Sequence, residues 1–296
     1  KRTKKKTMIA KRTMTSIHYY LTSHPTIVNF RWSHSESWGS TWSFLFTSIF
    51  LYLSLSATLH ILLSSLLRNR HRPVPLGPIP AIHSLAVSLT SLTIFTGLLL
   101  STAAEISETR WLFGRGSIKT TPFQWLLCFP IGTRPSGRVF FWSYLYYLSR
   151  FLHMARTVIT VLSRRRLSAF QLTSNAFLAL TAFVWLEFSQ SFQVIGILLA
   201  TLVNGVVYGY RFWTAAGLPG GDCGFPFVAR CQAVLLGSNL VCHVGVLALH
   251  LCKAGGCNGI GAWVFNSFLN GAILLLFVDF YVRVGRGQIR QIAKDI

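Results

Sequence analysis

Acidic residues are scarce in this chain, and charged residues of any kind are few. Its 296 residues include 7 Asp and Glu against 28 Lys and Arg, which gives a formal net charge of +21. Charged residues make up 12% of the sequence and hydrophobic residues 52%, with a mean hydropathy of +0.49. This composition excludes a water-soluble fold around a single core, because too few polar side chains remain to cover such a surface. The chain is therefore predicted to lie in a membrane.

The sequence contains several long apolar stretches. A helix needs about 20 mostly apolar residues to cross roughly 30 Å of hydrocarbon. About seven stretches meet this length, and they cover residues 42–67, 79–104, 138–163, 166–186, 189–213, 225–252 and 260–283. We therefore expect an all-α membrane protein with about seven transmembrane helices. The apolar segment Phe123–Ile131 is too short to span and is bracketed by Pro122 and Pro130, so we interpret it as re-entrant or interfacial.

The basic residues are spread over the loops between apolar stretches. This distribution disfavours nucleic-acid binding and is typical of cytosolic loops that contact anionic lipid head groups. If the C-terminal tail is cytosolic, then Arg68–Arg72, Arg164–Arg166 and the loop from Arg211 to Arg230 share its side. The loop after Glu187 then faces the lumen.

Three regions are expected along the chain. Residues 1–13 form a basic tail that is disordered or not native, since a more ordinary start follows at Met14. Residues 14–283 form the seven-helix membrane domain, and residues 284–296 form a cytosolic C-terminal tail.

The segment Tyr147–Thr157, followed by Leu162–Asn175, resembles the core of the ELO family of fatty acid elongases. Further matches lie downstream at Val206–Tyr210, Cys231–Gln232, Gly259–Trp263, Asn266 and Asn270. The overall pattern is most similar to a divergent, plant-like branch. The resemblance implies a seven-helix bundle of the endoplasmic reticulum that encloses an acyl tunnel. Such proteins condense a long acyl-CoA with malonyl-CoA to a 3-ketoacyl-CoA and carbon dioxide.

The first departure from the family changes the charge of a motif. Where the family has Lys-x-x-Glu-x-x-Asp, this chain has Arg150, His153 and Arg156, which share one helix face over about 9 Å of axial rise. Buried guanidinium groups need a partner. Glu187 and Asp279 are almost the only acids among the later spans, so a bound anion is one interpretation: the phosphates of acyl-CoA or of a lipid head group. Snorkelling towards a hydrated interface is the other.

The second departure removes the family's histidine box. Where the family has His-x-x-His-His, the chain has Gln171, Ser174 and Asn175, and Asn204 replaces a further histidine in the fifth helix. Imidazole titrates near neutral pH and can act as nucleophile, proton carrier or metal ligand, which these residues do not easily do. A nucleophilic Ser174 would need His153 as its base. Alternatively, these polar residues only hydrogen-bond across helices. The sequence therefore does not assign the catalytic residues.

The positive charge of the arginines, together with the motif matches at Tyr208, Tyr210 and Gln232, indicates which groups contact the substrate. The substrate-binding residues expected are Arg150, Arg156, Arg211, Tyr208, Tyr210 and Gln232. No cofactor is expected, and the substrates implied are acyl-CoA and malonyl-CoA. The partners implied are the reductase and the dehydratase of the elongation cycle, together with a homo-oligomer or other elongases.

Histidine and cysteine residues near the C-terminus raise two minor hypotheses. His243 and His250 share a helix face next to Cys242, but these groups fall short of a zinc site, so packing with local hydrogen bonds is the favoured interpretation. A disulfide between Cys252 and Cys257 is an open alternative in a lumenal loop.

Two functions remain at this point. One is a 3-ketoacyl-CoA synthase of very-long-chain fatty acid synthesis with altered catalytic groups. The other is a non-catalytic relative that binds acyl-CoA or regulates the elongase complex. Loss of the histidines favours the second on chemical grounds, whereas the family resemblance favours the first.

Overall fold

The computed structural model describes residues 18–66, 76–109, 121–163, 169–218, 224–252 and 255–292. Seven long helices dominate these residues: α1 Trp42–Leu66, α2 Ile79–Thr109, α3 Arg138–Leu162, α4 Ala169–Glu187, α5 Gln193–Ala215, α6 Gly224–Cys252 and α7 Ile260–Ile292. The expected all-α fold is confirmed, and the described residues pair in β geometry only at an isolated bridge between Arg31 and Ser136. The predicted basic tail over residues 1–13 and the loops Arg68–Arg72 and Arg164–Arg166 lie outside the described residues.

Hydropathy supports a multi-pass membrane protein. Among the described residues, six helices are long and apolar enough to cross a membrane, and these are all the long helices except α3. Helix α3 has the length of a span but carries Arg138, Arg150, His153 and Arg156. It lies among the other helices, because many of its residues are buried on several faces. Helix α7 continues to Ile292, beyond the end of its apolar spanning stretch at Arg283.

Close helix packing forms the centre of the bundle. Helix α2 packs most extensively on α5 and next on α3. Small residues allow this approach, since a Cβ atom on Gly205 would lie 2.8 Å from Leu92, and the hydroxyl of Ser88 donates to the Gly205 carbonyl at 2.8 Å. Half of the most apolar stretch of α4 and of α5 is buried, against 17% for α1. Helix α1 is therefore peripheral.

A disulfide between Cys128 and Cys257 marks one end of the bundle, hereafter the disulfide end. It joins the segment after the short helix Pro122–Leu127 to the loop between α6 and α7. That short helix begins at Pro122 and is capped by Thr121, as expected of a non-spanning segment. The alternative disulfide to Cys252 is wrong, because Cys252 is an exposed free cysteine.

The chain before α1 is fixed to the same end. The indole nitrogen of Trp32 donates to Oε2 of Glu187 at 2.9 Å, and Nε2 of His34 lies 3.0 Å from the same oxygen. Trp32 also packs edge-on against Tyr147 and Phe183. The Glu187 carboxylate therefore serves this contact and is not the partner of the arginines on α3.

Candidate functional site

A cavity of about 260 Å³ lies between α3, α4, α5, α6 and α7. We call it the main cavity. Ten residues selected from the sequence line it together: Arg150, His153, Arg156, Gln171, Ser174, Asn175, Asn204, Tyr208, Arg211 and Gln232. These residues come from four helices, so the packing of the helices brings them together.

Tyr210 is the exception among the expected substrate-binding residues. It is absent from the walls of the main cavity, and its ring packs on Phe227 with centroids 5.0 Å apart. Tyr208 and Tyr210 are two residues apart on α5, which places them about 200° apart around the helix. They cannot both face the cavity, and Tyr208 is the one that does.

A hydrogen bond between His153 and Tyr208 joins α3 to α5 inside the cavity. Nδ1 of His153 lies 3.1 Å from the Tyr208 hydroxyl, and both residues are buried. The other ring nitrogen, Nε2, is buried and has no hydrogen-bond partner within the described part of the chain. His153 is thus held through one nitrogen and leaves the second for a ligand.

Three arginines surround this pair. The guanidinium carbons of Arg156 and Arg211 lie 5.1 and 5.3 Å from the centre of the Tyr208 ring. That of Arg150 lies 4.2 Å from the ring of Tyr146, and Nε of Arg150 is buried without a partner in the described residues. The ion pairs found in the described ranges involve none of these arginines. Aromatic faces offset only part of the cost of burying such charges, so an anionic ligand fits here.

The degenerate histidine box forms a hydrogen-bond network centred on Thr157. The side-chain nitrogens of Asn175 and Gln171 donate to Thr157 Oγ1 at 3.2 and 3.5 Å. The hydroxyl of Tyr52, from α1, lies 2.9 Å from the same oxygen and 3.3 Å from the Leu172 carbonyl. These bonds connect α1, α3 and α4, which is the cross-helix role weighed above.

Ser174 does not pair with His153. Its hydroxyl donates to the Gln171 carbonyl at 3.4 Å within its own helix, while His153 bonds to Tyr208. A nucleophilic serine needs a base within hydrogen-bond reach, so the structure gives Ser174 no activated state. The serine hypothesis therefore lacks its geometric basis.

Apolar side chains make up much of the remaining cavity wall. Phe170, Leu178, Val203, Leu235 and Phe277 belong to this wall. The main cavity therefore combines cationic groups on α3 and α5 with apolar side chains from α4, α5, α6 and α7. Such a combination suits an amphipathic ligand with an anionic head and an apolar chain.

The two histidines of α6 have local partners. His243 contacts Ser267 and Asn270 through its two ring nitrogens, at 2.9 and 3.3 Å, and His250 Nδ1 accepts from the Cys257 backbone at 2.9 Å. Across the described ranges, no cluster of three or more His, Cys, Asp or Glu residues is placed to hold a metal ion. These contacts agree with the packing interpretation.

Comparison with known proteins identifies the family. Residues 37–286 match the GNS1/SUR4 (ELO) family. The chain belongs to this family. It is 64% identical over 280 residues to the Arabidopsis thaliana protein "Fatty acid elongase 3-like", covering 94% of this chain and 95% of the relative.

More distant relatives extend over nearly the whole chain as well. "Fatty acid elongase A" of Dictyostelium discoideum is 26% identical over 265 residues, covering 87% of this chain and 89% of its own length. "Fatty acid elongase sre1" of the same organism is 23% identical over 272 residues, with coverages of 89% and 91%. No solved structure matches the chain.

Proposed function

We propose that this ELO-family membrane protein condenses a long acyl-CoA with malonyl-CoA to form a 3-ketoacyl-CoA in very-long-chain fatty acid elongation. The single observation that carries the proposal is the main cavity, which combines apolar side chains with His153, Tyr208 and three arginines that have no carboxylate partners among the described residues. An acyl-CoA has the matching parts: an apolar chain, a thioester and phosphates. The family relationship favours elongation over the non-catalytic alternative.

The reaction sets clear requirements for the site. Malonyl-CoA loses carbon dioxide, the resulting carbanion attacks the acyl thioester carbon, and CoA leaves as a thiolate that takes up one proton. Decarboxylation supplies the carbanion, so this chemistry needs no metal or redox cofactor. The site has to hold two anionic substrates, stabilise the developing enolate and thioester oxygens, and move a proton.

Arg150, Arg156 and Arg211 provide the positive charge for the first two requirements. His153 provides the third, because Nε2 is free to exchange a proton or to contact the thioester while Tyr208 holds Nδ1. In this proposal Gln171 and Asn175 are positioning residues that act through Thr157. In this proposal His153 on α3 takes over the proton transfer that the histidine box on α4 no longer provides.

Location and partners follow from the same proposal. The protein resides in the endoplasmic reticulum membrane, with the end opposite the disulfide facing the cytosol, where CoA substrates are delivered. A lumenal disulfide end agrees with the oxidising environment in which disulfides persist. A reductase and a dehydratase receive the 3-ketoacyl product, and other elongase subunits are further partners.

Condensation by purified protein tests the proposal. Labelled malonyl-CoA and a range of acyl-CoA primers are supplied to the wild-type chain and to His153→Ala and Ser174→Ala variants. We expect labelled 3-ketoacyl-CoA from the wild type and at least about 100-fold less from His153→Ala. Loss in Ser174→Ala alone would assign the chemistry to the serine. No product from folded protein that still binds acyl-CoA would leave the non-catalytic alternative.

A further inference from the structure

A second, smaller cavity of about 90 Å³ adjoins the main cavity between α6 and α7. Leu236, Asn239 and Asn270 line both cavities, so the two are neighbours with a shared wall. The small cavity also reaches His243, about 22 Å along α6 from Val228 in the main cavity, at 1.5 Å per residue. It therefore lies on the disulfide side of the main cavity, away from the arginines.

The wall of this small cavity is mostly apolar but includes the polar side chains of Asn239, His243, Ser267 and Asn270, where an acyl chain would present its terminal methyl group. The Ser267 hydroxyl donates to the Trp263 carbonyl at 2.8 Å, so His243 Nδ1 donates to Ser267 and His243 Nε2 accepts from Asn270. The second amide hydrogen of Asn270 goes to the Asn266 carbonyl at 2.9 Å. Both donors of Asn270 are thereby used, and its Oδ1 remains as an acceptor.

Asn239 adds a second acceptor. Its Oδ1 is buried without a hydrogen-bond partner in the described residues, although the side chain lines both cavities. A buried acceptor without a partner costs about 1 to 3 kcal/mol. A hydrocarbon chain end placed here would donate a hydrogen bond to neither oxygen.

More unpaired amide groups lie one turn deeper. Gln190, Gln193 and Asn266 are fully buried, and Asn266 donates to Gln190. Within the part of the chain that the structure describes, Asn266 Oδ1, Gln190 Nε2 and both polar atoms of Gln193 have no partner. The buried polar groups near the disulfide end are therefore contributed by α7, by α5 and by the loop before α5.

We infer that the small cavity binds the far end of the acyl chain and selects chains whose terminal carbon carries a hydroxyl group. This inference rests on the proposed function of the main cavity. A hydroxyl supplies the donor that Asn239 Oδ1 lacks, whereas a methyl group supplies none and an ionised carboxylate places lone pairs against that oxygen. Sites built to hydrogen-bond a hydroxyl discriminate strongly against ligands that lack it.

The depth of the cavity makes the test length-dependent. Binding of ω-hydroxy and unsubstituted acyl-CoA primers to the purified full chain is compared over a series of chain lengths. Short chains do not reach Asn239, so the two chain ends should bind equally. Once the chain reaches the small cavity, we expect the ω-hydroxy primer to bind at least about tenfold more tightly. Equal affinities at every length would overturn the inference.

A variant locates the effect in the small cavity. Asn239→Leu removes an acceptor, so it should abolish the preference for long ω-hydroxy chains, and a preference that survives contradicts the assignment. Thr96→Val is the matched control, because Thr96 is exposed on α2 and bonds within its own helix at 2.9 Å. Folding of each variant is checked by size-exclusion chromatography and circular dichroism.

Failure of this inference is distinguishable from failure of the proposed function. The readout is binding, which does not require condensation. A chain that binds no acyl-CoA of any length overturns both. Binding with equal affinity for the two chain ends, beside measurable condensation, overturns the small-cavity assignment alone.

Discussion

The hydroxyl of Tyr208 lies 3.1 Å from Nδ1 of His153, and this bond joins α5 to α3 at the centre of the main cavity. The guanidinium groups of Arg156 and Arg211 also both lie over the ring of Tyr208. One tyrosine thus orients a histidine through its hydroxyl and two arginines through its ring. In an elongase that lacks the family's histidine box, this cluster is the part of the cavity best placed for chemistry.

Removing the Tyr208 hydroxyl tests this arrangement. In Tyr208→Phe the ring still packs against both arginines, but His153 loses the partner that holds Nδ1. We expect kcat for condensation to fall roughly ten- to 100-fold with little change in KM, because orientation of a proton-transfer group is lost and binding is kept. Steady-state kinetics with acyl-CoA primers measures both parameters.

Tyr20→Phe provides the matched control for this change, since Tyr20 is 63% exposed and distant from the cavity lining. Tyr208→Phe with wild-type kcat would contradict a positioning role. A rise in KM alone would instead make the hydroxyl a substrate contact.

Replacing Arg211, one of the two arginines that lie over the Tyr208 ring, should change ligand binding and stability in opposite directions. Arg156 and Arg211 have no carboxylate partner in the described residues and lie against the same ring, so they repel each other when no ligand is bound. We expect Arg211→Gln to weaken acyl-CoA binding about tenfold or more and to raise stability without ligand by roughly 1 kcal/mol. Thermal unfolding with and without acyl-CoA measures both.

Arg283→Gln is the control for charge removal, because Arg283 is exposed and paired with Asp279 at 2.8 Å. That change should lower neither binding nor stability measurably, since exposed pairs contribute little. If Arg211→Gln destabilises the free protein, the guanidinium has a structural role that the anion interpretation does not include.

The helices could be predicted because length and apolarity determine them. Helix α3 is the informative case: it is not among the helices apolar enough to span by hydropathy, and its buried Arg150 and half-buried Arg156 both line the main cavity. The site residues could be selected from family motifs, but helix phase was decisive. Tyr210 lies away from the main cavity because it is two residues from Tyr208, which places it on nearly the opposite helix face.

Partners distant in sequence were beyond prediction from one chain. Cys128 and Cys257 are separated by 129 residues in the sequence. Cys252 and Cys257 are near neighbours, and this is why the sequence suggests a disulfide between them. Tyr52 and Asn239 were missed for a related reason. A single Tyr or Asn in an apolar helix carries no pattern, and its role depends on which helix packs beside it.

The disulfide should contribute to stability through the long segment that it closes. Cys128→Ser and Cys257→Ser are each expected to lower stability by about 2–4 kcal/mol, and the double variant should be no worse than either single one. Thermal unfolding in detergent provides the measurement, and electrophoresis without reductant shows loss of the cross-link. Cys252→Ser should match the wild type, since Cys252 is free and exposed. Additive losses from the two single variants would indicate that the cysteines act separately.

Packing between α2 and α3 depends on the absence of a side chain at Gly97. A Cβ atom there would overlap the indole of Trp142, which is buried and donates to the Leu21 carbonyl at 3.1 Å. Gly97→Ala should therefore destabilise the protein by about 1–3 kcal/mol, although alanine is the better helix former. Gly237→Ala on α6 is the matched control, because an added Cβ there meets no packed neighbour within 4 Å. The change in stability measured by thermal unfolding should differ between the two variants in sign or in size. Equal changes would mean that α2 can move away from Trp142 without cost.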